Sequence, residues 1–93
     1  MIHLICDAIA LRRVIAFYYD ASLRRVEPHQ LGYDHDGDLT LSAWQLSGGS
    51  GVGWRDFHLA SISAPTITAE HFAGPRAGYS LQNKKMRRIL CGL

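Results

Sequence analysis

The side chains best suited to chemistry in this sequence are basic and aromatic residues on predicted strands. Arg55 lies within residues 53–59, where polar and apolar side chains alternate as they do along a strand. This alternation places Arg55 on one face with Phe57 and Leu59. Because a charge on an otherwise apolar face should be paired or should border a pocket, we expect any ligand site to lie around Arg55.

Three further side chains complete a predicted cationic set, namely Tyr19, Arg25 and His29. Arg25 lies on the predicted second strand, and Tyr19 ends the first strand near the hairpin turn. A guanidinium grips phosphate with two parallel hydrogen bonds, so this set suits a phosphate, a nucleotide or a short single strand. Ordinary salt bridges to the neighbouring carboxylates Glu27 and Asp56 explain the same arginines at least as well.

Two tryptophans, Trp44 and Trp54, flank the glycine-rich residues 47–51 and are predicted to face each other across them. A cross-strand pair that covers the sheet surface is the default interpretation. A platform on which a base stacks is the alternative. The glycine-rich segment lacks the lysine and the following helix of a phosphate loop, which favours a plain hairpin loop.

Signatures of catalysis and metal binding are weak. The serines do not form the Gly-x-Ser-x-Gly elbow of a serine nucleophile. The run Asp34, Asp36 and Asp38 lacks the later glutamate of a calcium loop, so it predicts a solvated hairpin turn. The histidines form no closely spaced pair, and the cysteines lie far from them. We therefore expect no catalytic residue, no metal site and no cofactor.

The elements that position these residues are predicted as one helix and five or six short strands. Ile2, Ile5 and Ile9 recur at helical spacing and predict a helix over residues 1–13. Pro28 is expected to end the second strand or to place it at a sheet edge. Branched and aromatic runs between turn signals predict the strands, over residues 14–19, 23–26, 30–33, 39–46, 53–59 and 62–68. Short strands at this spacing favour a small, strongly bent sheet or barrel.

The composition limits the classes of protein to which this chain can belong. The chain has 93 residues, of which 47% are hydrophobic, so it is expected to form one small domain that self-association would help to stabilise. A net charge of +2 is too small to mark a nucleic-acid binder by itself. The basic residues nevertheless concentrate at 84–88. Residues 80–93 are predicted as a basic tail, either frayed or folded as a short helix against a partner.

The two cysteines and the hydropathy pattern bear on location. Cys6 and Cys91 stand near opposite ends and show no metal-binding or redox spacing. There is no apolar run of about 18 residues to span a membrane, and no basic leader precedes the first apolar run. We therefore predict a cytoplasmic protein with two reduced thiols rather than a disulfide.

The order and spacing of several segments resemble the WYL domain, which is found mostly in bacterial transcriptional regulators. The matching segments are residues 8–9 in the helix, 14–19 ending in a tyrosine, 25–29 with the pattern R-x-x-P, and 54–62 with R-x-F-x-L-x-x-I, followed by Phe72. At the position of the name-giving tripeptide this chain reads Leu39-Thr40-Leu41, so the tryptophan and tyrosine are replaced.

The resemblance implies an N-terminal α-helix and a small Sm-like or SH3-like five-stranded barrel over residues 1–79, with 80–93 as the tail. It also implies a pocket for a nucleic-acid-derived or other anionic ligand at the matching positions Tyr19, Arg25, His29 and Arg55. Such domains usually follow a DNA-binding helix-turn-helix domain, so we expect a stand-alone sensor, a homo-oligomer or a partner of a separate DNA-binding regulator.

Together these observations predict a non-enzymatic, ligand-sensing module of transcriptional regulation. A protein-interaction or oligomerisation module without a small ligand is the alternative, because small barrels often associate through edge strands.

Overall fold

The computed structural model describes residues 1–93 as one helix and six strands. In chain order the elements are α1 (Ile2–Leu11), β1 (Arg13–Tyr19), β2 (Ser22–Asp34), β3 (Leu39–Ser47), β4 (Gly53–His58), a 3-10 turn (Leu59–Ser61), β5 (Ser63–His71) and β6 (Met86–Gly92). The predicted leading helix and the mainly β class are confirmed.

All strand pairs are antiparallel and follow the order β4-β3-β2-β1-β5, with β6 added to β2. The long strand β2 organises the sheet. Its first half pairs with β1 and its second half pairs with β6, while β3 pairs with β2 along most of its length. The strands β4 and β5 end the two sides of the sheet and do not pair with each other. The sheet is therefore bent but not closed into a barrel.

The prediction that the second strand ends at Pro28 is wrong. Pro28 lies inside β2, where it stands opposite Ala43 of β3. The pairing register shifts between Pro28 and Gln30, which marks a bulge. A bulge tolerates a proline because the ladder hydrogen bonds are already interrupted there. The two short strands predicted over 23–26 and 30–33 are therefore one strand.

The prediction of a frayed or helical tail is also wrong, because residues 86–92 form β6. The close approach of β6 to β2 depends on Gly32, where a Cβ would overlap the carbonyl oxygen of Arg88. Met86 is buried, whereas Arg87 and Arg88 face solvent. The helical spacing of Met86, Ile89 and Leu90 was therefore misleading.

The prediction of two reduced thiols is contradicted by a disulfide between Cys6 of α1 and Cys91 of β6. Their Cα atoms are 5.8 Å apart although 85 residues separate them in sequence. The distance is within the range that a disulfide bridges. The pairing arises because β6 returns along β2 to the side of the sheet that α1 covers.

The core lies between α1 and the inner face of the sheet. Ile5, Ala8 and Ile9 are the buried stripe of α1, as the helical spacing predicts. They pack on buried side chains of the strands, namely Ile15, Phe17, Val26, Leu31, Leu41, Ala43 and Phe57. Removing this apolar surface from water is the main stabilising contribution in a domain of this size. None of the helical segments combines the length and hydropathy needed to traverse a membrane.

Candidate ligand-binding groove

Residues 72–85, here called the strap, connect β5 to β6 across the outer face of the sheet. Arg76 fixes the strap to β2 through two hydrogen bonds to the Glu27 carboxylate, from Nε at 2.7 Å and from Nη2 at 3.0 Å. The Glu27 side chain is only 6% exposed, so the guanidinium is the partner that compensates its burial. The Arg76 guanidinium also lies over the Trp44 ring, 5.2 Å from its centroid.

The strap covers a cluster of aromatic rings around His29, which is fully buried. The imidazole lies 4.8 Å from the Trp54 ring, 5.3 Å from Tyr79 and 5.7 Å from Phe72, measured between centroids. Trp44 meets Trp54 edge to face at 5.7 Å, as the predicted cross-strand pair requires. The cluster is therefore the packed layer that supports the strap.

The protonation state of His29 follows from its two hydrogen bonds. Its Nε2 accepts from the backbone N–H of Arg76 at 3.0 Å, so its Nδ1 carries the proton and donates to the Glu27 carbonyl at 2.8 Å. Burial lowers the pKa of His29 below its ordinary value. This side chain is a neutral structural group, and it is not free to bind an anion.

An open groove of about 490 Å³ runs between β4 and the second half of the strap. Trp54, Arg55 and Asp56 form its β4 wall. The strap wall consists of residues 78–80 and 82–85. Two hydrogen bonds hold the walls in place, one from an indole and one from a phenol hydroxyl. The Trp54 Nε1 donates to the Ala77 carbonyl at 3.0 Å, and the Tyr79 hydroxyl donates to the Leu93 carbonyl at 3.1 Å.

The charges of the groove are mostly positive. Arg55, Lys84 and Lys85 line it together with one carboxylate, that of Asp56. Lys85 pairs with Asp56 at 3.1 Å, whereas the Lys84 ammonium makes no ion pair and is exposed. The uncompensated charge of the groove therefore belongs chiefly to Lys84 and Arg55.

Aromatic surface lies beside these charges. The Trp54 and Tyr79 rings are nearly parallel, with an angle of 21° and centroids 6.5 Å apart. Gly78 makes this arrangement possible, because a Cβ there would stand only 3.2 Å from the indole nitrogen of Trp54. The groove thus offers a planar apolar surface next to cations, which is the combination that binds a planar anion.

Arg55 has a structural role at the mouth of this groove. Its guanidinium donates to the Ser50 hydroxyl at 3.0 Å, the Trp54 carbonyl at 2.7 Å and the Gly51 carbonyl at 3.2 Å. The expected salt bridge with Asp56 does not form. Arg55 instead braces the glycine-rich loop of residues 47–51, and it borders a pocket as its place in the strand predicts.

Tyr19 and Arg25 contact other parts of the sheet and do not line the groove. The Tyr19 hydroxyl accepts a hydrogen bond from the His58 N–H at 3.2 Å. Arg25 forms an exposed ion pair with Glu70 of β5 rather than with Glu27. Of the six predicted site residues, Trp54 and Arg55 line the groove, His29 and Trp44 support it, and the remaining two lie elsewhere.

Arg24 was not among the predicted site residues, yet it is buried with 9% of its surface exposed and has no carboxylate partner. It donates to the Gln45 side chain at 3.0 Å and to the Tyr19 carbonyl at 3.3 Å, while its Nε has no partner. Its guanidinium lies over the rings of Tyr19 and Phe57. The available signal was alternation, which places Arg24 on the core face with Val26.

The groove residues Tyr79 and Lys84 were also missed. Both lie in a segment with no periodic pattern, so no local signal connects them to β4.

One group of side chains has the geometry of a cation site. The ligand atoms of Asp34, Asp38 and His58 all lie within 4.8 Å of one another. The Asp34 carboxylate, however, already accepts hydrogen bonds from the N–H groups of Asp38 and Asp36, and these hydrogen bonds, chiefly the one from Asp38, lower its pKa. The predicted turn between β2 and β3 brings Asp34 and Asp38 together, and His58 of β4 lies beside them with its Nδ1 3.6 Å from the Asp38 carboxylate.

Comparison of the chain with protein-family models, with curated proteins and with solved structures yields no match. The fold and the groove define a small, mainly β domain with a leading helix and one open, cation-rich groove.

Proposed function

We propose that this chain is a non-enzymatic sensor module that binds a nucleic-acid-derived or other anionic ligand in the groove between β4 and the strap. The observation that carries the proposal is the excess of positive charge beside the Trp54 and Tyr79 rings. In this proposal the ligand reports to transcriptional regulation, as the resemblance to the WYL domain implies, either within a homo-oligomer or through a separate DNA-binding regulator.

The physical chemistry assigns different roles to the groove residues. Lys84 is exposed and has no ion pair, so it can approach a phosphate without losing an existing contact. Arg55 adds long-range attraction, although its N–H groups already serve the glycine-rich loop. Trp54 supplies the surface on which a base or another planar ring stacks, a contact worth about 1–3 kcal/mol per base.

The bent sheet and the leading helix support a relationship to Sm-like barrels within this proposal. The long strand β2 shares its two halves between β1 and β6, which bends the sheet toward the shape of a barrel. The cytoplasmic location stays a prediction, and the disulfide removes the reduced thiols on which it rested. Trapping of free thiols at cell lysis would test it.

The experiment is fluorescence anisotropy with short labelled single-stranded DNA and RNA at two salt concentrations. Inorganic phosphate and adenosine monophosphate serve as competitors. We expect binding that weakens with salt, with a slope that decreases by about 0.7 for each phosphate contact removed. Lys84→Ala should weaken this binding, and Lys84→Ala combined with Arg55→Ala should abolish it.

Arg88→Ala is the matched control, because Arg88 is an exposed cation of β6 that does not line the groove. Equal loss of binding in Arg88→Ala and Lys84→Ala would show a diffuse electrostatic effect and would contradict a groove site. Absence of binding by every probe would contradict the proposed class of ligand.

A protein-interaction module is the second candidate, and exposed apolar side chains favour it. Tyr18 and Leu23 stand opposite each other on the β1–β2 hairpin with 49% and 51% of their surfaces exposed. The open edges of β4 and β5 offer further backbone groups for pairing. Light scattering across a range of concentrations would test self-association, and a Tyr18→Ser variant that stays monomeric while the unmodified chain dimerises would support it.

A further inference from the structure

We propose that the disulfide between Cys6 and Cys91 is a redox-sensitive latch that keeps the strap seated and the groove formed. The consequence for ligand binding rests on the function proposed above. Whether the disulfide holds the strap and β6 in place can be tested without any ligand.

The position of the disulfide in the chain is the first argument. It joins α1, near the start of the chain, to β6, near its end. The strap leads into β6, so β6 fixes its C-terminal end, in addition to the contacts of Ser80, Lys84 and Lys85 with Gln30, His35 and Asp56. A crosslink between residues this far apart also restricts the unfolded chain, so its loss lowers the stability of the whole fold, and the latch predicts an additional, local effect on β6 and the strap.

The weak attachment of β6 is the second argument. This strand has a single neighbour, β2, and its other edge pairs with nothing. Met86 is its only buried side chain, while Arg87, Arg88 and Ile89 are exposed. Since strands are stabilised mostly by burial of their side chains, β6 depends more on its crosslink than the inner strands would.

The contacts that follow Cys91 connect the latch to the groove. Gly92 lies against the Tyr79 hydroxyl, and this hydroxyl donates to the carbonyl of Leu93 at 3.1 Å. The Leu93 N–H donates in turn to the His29 carbonyl at 2.9 Å. The two residues after the disulfide therefore hold Tyr79, a wall of the groove, against the sheet.

The redox step is thiol–disulfide exchange with a dithiol reductant. One thiolate of the reductant attacks a sulfur of the Cys6–Cys91 bond and forms a mixed disulfide. The second thiol of the reductant then resolves this intermediate. The protein gains two electrons and two protons as two thiols, and the reductant becomes a cyclic disulfide. Both cysteines are only partly buried, so a small dithiol can approach them.

The test is amide hydrogen exchange of the full chain, oxidised and after treatment with dithiothreitol, read by mass spectrometry. We expect reduction to raise the exchange rates of residues 76–93 by roughly tenfold or more beyond any rise in β1 and β3. The double variant Cys6→Ser with Cys91→Ser should show the faster exchange with and without dithiothreitol. This variant also controls for other effects of the reductant.

Two outcomes would overturn the latch. Equal exchange in both redox states would show that β6 and the strap are held without the crosslink. A rise of equal size throughout the sheet, or loss of the far-ultraviolet circular dichroism signal on reduction, would show that the disulfide stabilises the whole fold without a separate effect on the strap.

A parallel anisotropy titration with labelled single-stranded DNA separates this proposal from the previous one. Weaker binding after reduction supports a groove that the latch controls. If the DNA binds neither the oxidised nor the reduced chain, only the proposed class of ligand is contradicted. The latch is tested separately by the amide exchange data.

Discussion

The imidazole Nε2 of His29 accepts a hydrogen bond from the backbone N–H of Arg76, 3.0 Å away and 47 residues later in the chain. This contact joins β2 to the strap at the centre of the aromatic cluster. It requires a neutral ring, because a protonated imidazole has no lone pair to accept with. The attachment of the strap is therefore coupled to the protonation of one buried histidine.

The first prediction is that stability decreases in mild acid. Burial lowers the pKa of His29 below its ordinary value of 6.5. Between these two pKa values the unfolded chain binds more protons than the folded chain. The contribution of His29 to stability is therefore complete above a pH of about 6.5, and the free energy of unfolding decreases as the pH falls below this value. One proton limits the slope to about 1.4 kcal/mol per pH unit. Urea denaturation at several pH values measures it.

The variant His29→Phe should be less stable near neutral pH and should lose most of this slope. His3→Gln is the control, because His3 is exposed on α1 and its loss should leave the slope unchanged. An unchanged slope in His29→Phe would assign the acid sensitivity to other groups.

The second prediction compares two neighbouring arginines. Arg24→Ala should lower the free energy of unfolding by about 2–3 kcal/mol, since it removes two hydrogen bonds and the packing of a buried side chain. Arg25→Ala should cost less than about 1 kcal/mol, because its ion pair with Glu70 is exposed. Chemical denaturation of both variants provides the comparison, and equal costs would contradict the assigned burial.

The third prediction concerns the contact between β2 and β6. Gly32→Ala should destabilise the protein by about 1–3 kcal/mol, because the new methyl group would overlap the Arg88 carbonyl. The damage should appear as faster amide exchange in β6. Gly37→Ala is the comparison, since a Cβ at this turn meets nothing within 4 Å and only its positive φ opposes the change. Faster exchange of β6 in both variants would argue against a local overlap.

The fourth prediction separates the structural role of Arg55 from its charge. Arg55→Ala should accelerate amide exchange in residues 48–53, because the two hydrogen bonds that brace the loop, to Ser50 and Gly51, are lost. Arg55→Lys keeps the charge but not the forked donor geometry, so the loop should loosen while the salt dependence of ligand binding is kept. Unchanged amide exchange of the loop in both variants would contradict the bracing role of Arg55.

Most of the sheet could be predicted because its signals are local. The Asp-Gly turn after Asp34, the alternation around Phe57 and the spacing of the isoleucines in α1 each act within a few residues. The same local rules fail at Pro28 and at residues 86–92. At Pro28 a bulge in the pairing with β3 lets the strand continue, and at β6 the pairing with β2 overrides a helical spacing.

The candidate site was only partly predictable. Alternation placed Arg55 at the border of a pocket, and the two tryptophans were correctly paired across their loop. The sequence could not show that Arg25 pairs with Glu70, or that Tyr79 and Lys84 face β4, because these contacts join segments far apart in the chain.

The sequence by itself determined the mainly β class, the leading helix, the main turns and the charged and aromatic residues available. Periodicity and turn formation depend on residues that are neighbours along the chain, so short segments of the sequence are enough to predict them. Only the tertiary structure decided the joining of Cys6 to Cys91, the path of the strap and the pairing of Glu27 with Arg76. Each of these contacts depends on how the antiparallel sheet returns distant segments to one place, and its energy is realised only when the whole sheet has formed.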